Sequence, residues 1–142
     1  MPNDDHQRLS AGLLLTVIWH DVDVIELNIR AHNDSFSAVV TIYSTCDLLT
    51  RAAETLSSAQ PTVGDVQLFT LATTDEKEAS FELRVLDSVG HFALICRLGE
   101  DGEYRQNATI VIRVTPSAID QFVDELYTIA KGASKAAALE GC

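Results

Sequence analysis

Apolar residues recur along this chain at two spacings, and the switches between them mark out its elements. Leu13 to Trp19 is an apolar run with β-branched members that predicts a first strand, and His20-Asp21-Val22-Asp23 after it suits a turn. Beyond the turn Ile25, Leu27, Ile29 and Ala31 alternate with Glu26, Asn28 and Arg30, the period of two of a strand with one buried face. His32 to Ser35 predicts a second turn, and Phe36, Ala38, Val40 and Ile42 a third strand. At Ser44 the spacing changes. Ser44 and Asp47 have the separation of a capping box, and Leu48, Leu49, Ala52, Ala53 and Leu56 then fall on one face of a short helix that stops before Pro61.

Val66 to Leu71 predicts a further strand, and the loop Thr73 to Glu78 separates it from Phe81, Leu83 and Val85, which alternate with Glu82 and Arg84. After the turn Asp87-Ser88-Val89-Gly90, Phe92, Leu94, Cys96 and Leu98 oppose His91, Ala93, Ile95 and Arg97, which makes Cys96 a small core residue. Gly99 to Gly102 is a charged loop before Ala108, Ile110, Ile112 and Val114. Thr115 as N-cap and Pro116 at the first helical position open a C-terminal helix with an apolar stripe of Ile119, Phe122, Val123, Leu126, Ile129 and Ala130, closed by Lys131 and Gly132. The connections are too short for parallel crossovers through most of the chain. The expectation is an α+β domain with a mainly antiparallel sheet of six to seven strands, one short internal helix and a C-terminal helix packed on one face.

A chain of 142 residues suits one domain. Residues 1–135 are read as that domain. Residues 136–142 are read as a tail, because Ala136-Ala137-Ala138-Leu139-Glu140 looks like the vector-derived linker that precedes a purification tag, which also leaves the origin of Cys142 open. No apolar run approaches the roughly 18 residues of a membrane span, and the acidic start Met-Pro-Asn-Asp-Asp-His is unlike a signal peptide. Cys46, Cys96 and Cys142 are few, odd in number and widely spaced, as in a reducing compartment. The expected location is the cytoplasm.

Ten Lys and Arg stand against 21 Asp and Glu, a formal net charge of -11, which repels nucleic acids and anionic membranes and favours a basic protein partner. No motif identifies a reaction. There is no HExxH, GxSxG, Walker A or GxGxxG, the four histidines are isolated, and His20 with Asp21 and Asp23 reads as a polar turn before it reads as a metal site. Cys46 at the start of the first helix and His91 beside Gly90 are the two reactive candidates, each with an ordinary packing or turn-capping role open to it. Trp19 reads as core or rim packing. No cofactor and no metal is expected, and the balance is against an enzyme. The acids fall in three loop groups, Asp21 with Asp23, Asp75 with Glu76 and Glu78, and Glu100 with Asp101 and Glu103. If two of these loops share an edge of the sheet, they form a negative rim able to steer and hold a basic surface.

The run Phe81 to Leu94, with its Asp87-x-x-Gly90-His91 turn, and the later helix Ile119 to Leu126 resemble small bacterial proteins of unassigned function, including the WapI family of immunity proteins. The resemblance covers roughly the C-terminal half. It implies a non-catalytic bacterial protein that binds and neutralises a toxin, with the acidic loops facing the toxin's basic rim. Two other readings stay open. One is a small-molecule-binding or enzymatic domain with its pocket between sheet and C-terminal helix. The other is a homo-oligomer, since Val39, Ile95 and Val111 are apolar on outward faces.

Overall fold

A computed structural model describes residues 11–58, 64–74 and 76–142. Its elements follow the order β1 (Gly12–His20), β2 (Ile25–His32), β3 (Ser37–Ser44), α1 (Cys46–Ser57), β4 (Val66–Thr70), β5 (Lys77–Val85), β6 (Phe92–Glu100), β7 (Gln106–Val114), α2 (Pro116–Ala130) and β8 (Ala136–Glu140). The class is α+β and all strand pairs are antiparallel, as the alternation requires. The single sheet of six to seven strands is not what forms. The strands divide into two sheets of four, β3-β2-β1-β8 and β4-β5-β6-β7. The break falls where α1 carries the chain away from β3, so β3 and β4 end as edges of separate sheets. Alternation fixes which face of a strand is buried, not which sheet the strand joins.

Residues 136–142, read as a tail, include a strand, since Ala136–Glu140 form β8 and pair with β1 from Gly12↔Glu140 to Thr16↔Ala136. Ala137 and Leu139 of β8 are each 1% exposed. Beyond the strand, Gly141 N–H donates to Ala11 O and Cys142 N–H to Arg113 O, both at 2.9 Å, so the segment joins the two sheets.

The inward residues of both sheets, Leu13, Leu15, Leu27, Ile29 and Ile42 on one side and Phe81, Leu83, Leu94, Cys96 and Ile112 on the other, share one core with the helices. Helix α1 turns Leu49, Ala52, Ala53 and Leu56 into it, and α2 turns Ile119, Phe122, Val123, Leu126 and Ile129. Phe69 stacks on Phe81 with ring centroids 5.0 Å apart. Both helices among the described residues begin on a threonine. Thr115 Oγ1 accepts from Ala118 N–H as expected, whereas α1 is capped by Thr45, which accepts from Leu48 N–H. Ser44, expected in that role, is the last residue of β3 and is wholly buried, its inward direction set by the strand.

Edge β3 runs across the ends of the second sheet. Thr73 N–H donates to Tyr43 O at 3.0 Å, Ala38 to Val40 border Leu98 to Glu100 and Gln106 to Ala108, and Asn33 Nδ2 donates to Val111 O at 3.1 Å. This crossing sets β3 beside the loop that joins β4 to β5 and beside the strand ends that flank the β6–β7 turn.

Candidate functional site

The β5–β6 ladder ends on the pair Lys77↔Glu100, so the turns that flank it are brought side by side. Asp101 N–H donates to Glu76 O at 2.8 Å and fastens one turn to the other. Glu76, Glu100, Asp101 and Glu103 are exposed around this junction, and Glu78 is half-buried one step into β5, where it accepts from Ser80 Oγ at 2.8 Å. Two cations sit among these five acids. Lys77 Nζ lies 2.9 Å from Glu100 Oε2, and Arg105 Nη1 lies 3.3 Å from Asp101 Oδ1. Such surface pairs fix side-chain direction and contribute little stability, and the group keeps an excess of negative charge. Asp75 lies outside the described residues.

Within this acidic end Tyr104 is 76% exposed, an aromatic ring held out on the β6–β7 turn between Glu103 and Arg105. Alternation had passed over it, because a turn has no period to read. The available signal was an aromatic in a loop otherwise made of Gly and charged residues, the kind of side chain that anchors interfaces.

The third acidic group does not join the other two. Asp21 and Asp23 occupy the β1–β2 turn of the first sheet, where Asp21 Oδ1 accepts from the N–H groups of Asp23 and Val24, each at 2.8 Å. Those hydrogen bonds, Asp23's first, hold the Asp21 carboxyl below the usual carboxylate range. Asp21 builds a turn. It also lines a cavity of about 400 Å³ between the first sheet and the C-terminal end of α2, with His20, Ile25, Cys46, Ile129 and Lys131. Cys46 is the first residue of α1, and its Sγ donates to Ala130 O at 3.1 Å, so the thiol proton is directed at the α2 carbonyl end. Among the described residues no three His, Cys, Asp or Glu side chains converge as metal ligands, and no helix is long and apolar enough to cross a membrane.

Cys96, His91 and Trp19 take core, turn and surface positions. Cys96 is fully buried, and burial pushes its thiol up to about 12. His91 Nδ1 and Asp87 Oδ2 are 2.6 Å apart, while Asp87 Oδ1 accepts from the N–H groups of Val89 and His91. The His91 side chain, more than these backbone bonds, holds Asp87 below the usual carboxylate range. Gly90 completes the turn with φ +98°, and a Cβ there would lie 3.1 Å from Pro116 Cγ. The Asp-x-x-Gly-His pattern is thus accounted for by turn geometry. Trp19, expected in the core or at its rim, is half exposed on the outward face of β1 beside a bulge between Val17 and Trp19.

Glu82 was read only as one of the outward residues of β5. It is 7% exposed, with Arg84 Nε bonded to its Oε2 and Arg97 Nη1 3.3 Å from its Oε1. The Arg84 hydrogen bond is the main cause holding its carboxyl below the ordinary value of 4.5. A depressed folded pKa contributes stability that is fully present above the unfolded value and is lost as pH falls through the folded one. Glu82→Gln is therefore expected to cost about 1 kcal/mol near neutral pH, a modest figure because both guanidinium groups are about half exposed. In thermal melts from pH 7 to pH 3 the wild type and the variant converge as the solution is acidified. A constant gap would show that the carboxylate charge is not what matters.

Compared with family models, curated proteins and solved structures, the chain finds no match in any of the three.

Proposed function

We propose that the protein is a non-catalytic binding module that holds a basic protein surface on the acidic end formed by Glu76, Glu78, Glu100, Asp101 and Glu103. The observation that carries this reading is the 2.8 Å bond from Asp101 N–H to Glu76 O, which makes one surface of two acidic turns. A net charge of -11 adds long-range attraction for a cationic partner, and Tyr104, exposed on the β6–β7 turn, supplies an apolar anchor. The resemblance to WapI-type immunity proteins supports a toxin as that partner, neutralised by cover of its basic active-site rim. Asp21 and Asp23 contribute charge at a distance and no contact. The cytoplasm, where few and unpaired cysteines are at home, is the proposed location.

A second reading is favoured by the cavity between the first sheet and α2, which is large enough for a small molecule. One experiment separates the two. Affinity capture is run with the wild type, with Glu100→Gln/Asp101→Asn/Glu103→Gln, and with Val22→Trp, which fills the cavity mouth from an 88% exposed turn position. Loss of a basic partner from the triple variant alone supports the acidic end. Retention by the triple variant, with a ligand-induced thermal shift abolished by Val22→Trp, transfers the function to the cavity.

A further inference from the structure

The outward face of the first sheet has a charge pattern that is complementary to itself. Its central strand β2 presents Glu26, Asn28 and Arg30, and the register places each in a row across the sheet. Glu26 lies between Trp19 of β1 and Tyr43 of β3. Asn28 lies between Thr16 and Thr41, with its Nδ2 donating to Thr41 Oγ1 at 3.2 Å. Arg30 lies between Leu14 and Val39. The four large apolar residues of the outer rows are all open to solvent, Leu14 at 39%, Trp19 at 51%, Val39 at 50% and Tyr43 at 52%. Ala136 and Ala138 of β8 extend the face with side chains too small to hinder approach.

From this arrangement we infer that a second copy of the chain packs face to face on this sheet, about a two-fold axis that lies in the plane of the interface and crosses the strands at Thr16, Asn28 and Thr41. Rotation about that axis turns each strand end for end over its own copy. Arg30 then lies over Glu26 of the second molecule and Glu26 over its Arg30. Trp19 meets Leu14, Tyr43 meets Val39, and the middle row meets itself. Within these three rows of β1, β2 and β3 every large apolar side chain faces another and each charge faces its opposite, the arrangement that gives register and specificity.

The outward face of the second sheet does not have this property. Its central row, Leu68, Glu82, Ile95 and Val111, would place Glu82 over its own copy, and Arg84 and Arg113 would face Ser80 and Thr109. Four strands about 4.8 Å apart and eight residues rising about 3.4 Å each give the first face a footprint of roughly 500 Å². This is at the small end for a specific interface, so the dimer is a reversible one. The edge residue Val39 of this face borders Glu100, but the dimer does not depend on the reading of the acidic end.

Sedimentation velocity on the full chain over a concentration series tests the inference, with far-UV circular dichroism as the check on folding. The wild type is expected to shift from monomer to dimer. Arg30→Glu and Glu26→Arg, each placing two pairs of like charges across the axis, are expected to raise Kd roughly 100-fold. The double variant Glu26→Arg/Arg30→Glu restores the dimer, because exchanging the charges keeps the pattern complementary. Val111→Glu on the other sheet leaves it unchanged. A wild type that stays monomeric to about 1 mM, where only associations weaker than about 4 kcal/mol escape, overturns the proposal. So do single variants that dimerise like the wild type, or a folded double variant that does not recover.

Discussion

A chain cut after Lys135 is expected to be largely unfolded at room temperature. The cut removes β8, and with it the side chains of Ala137 and Leu139, each 1% exposed. Burial of one leucine contributes roughly 1.5–3 kcal/mol, and the removal acts on more than its own atoms. The edge of β1 from Gly12 to Thr16 loses its ladder partner, and Leu13 and Leu15 lose cover. Glu125 Oε1 on α2 loses the Ala138 N–H that donates to it at 2.8 Å, and the bond from Cys142 N–H to Arg113 O that ties the sheets together is gone. A total of about 5 kcal/mol is comparable with the whole stability of a small domain. The measurement is a urea melt of the full chain against the cut one. Coincident melts would mean that residues 136–142 are the dispensable tail their composition suggests, and that the core closes without them.

The second large effect is expected at Phe122. It is 1% exposed and projects from α2 into the core that both sheets share, so no surface loop can move in to fill its place. Phe122→Ala is expected to cost about 3–5 kcal/mol, the transfer term together with the cavity term. Tyr127 on the same helix is only partly buried against the core and provides the contrast. If Phe122→Ala melts within about 1 kcal/mol of the wild type, Phe122 does not fill the shared core as described.

Among the described residues, nine of the ten elements were legible as strands or helices because hydrophobic period is local information. The Thr115-Pro116 helix start and the buried Cys96 needed nothing beyond neighbouring residues. The tenth, β8, was not legible. Ala-Ala-Ala-Leu-Glu has no β-branched residue and five residues of high helix propensity in a row, and only its pairing with β1 makes it a strand. The division into two sheets was hidden for a related reason. Hairpins report which strands are neighbours in sequence, and the β3–α1–β4 passage, which decides the sheet count, is not a hairpin.

The acidic end was half legible. The hairpin register already implies that the residues before β5 and after β6 lie together, which is how Glu76 and Asp101 meet. Nothing local distinguishes those acids from Asp21, whose carboxylate is engaged in its own turn. Nor does the alternation of Glu82 with apolar neighbours reveal that two arginines cover it, since Arg97 comes from the adjacent strand.

The most direct test of the acidic end is the association rate of the captured basic partner as a function of salt. With a Debye length of about 10 Å at 0.1 M ionic strength, steering by a charged end is strong in dilute buffer and screened at high salt. The rate for the wild type is expected to fall about tenfold or more between low and high salt, and that of Glu100→Gln/Asp101→Asn/Glu103→Gln to start low and change little. Equal rates with equal salt dependence for the two proteins would contradict a function centred on the joined acidic turns.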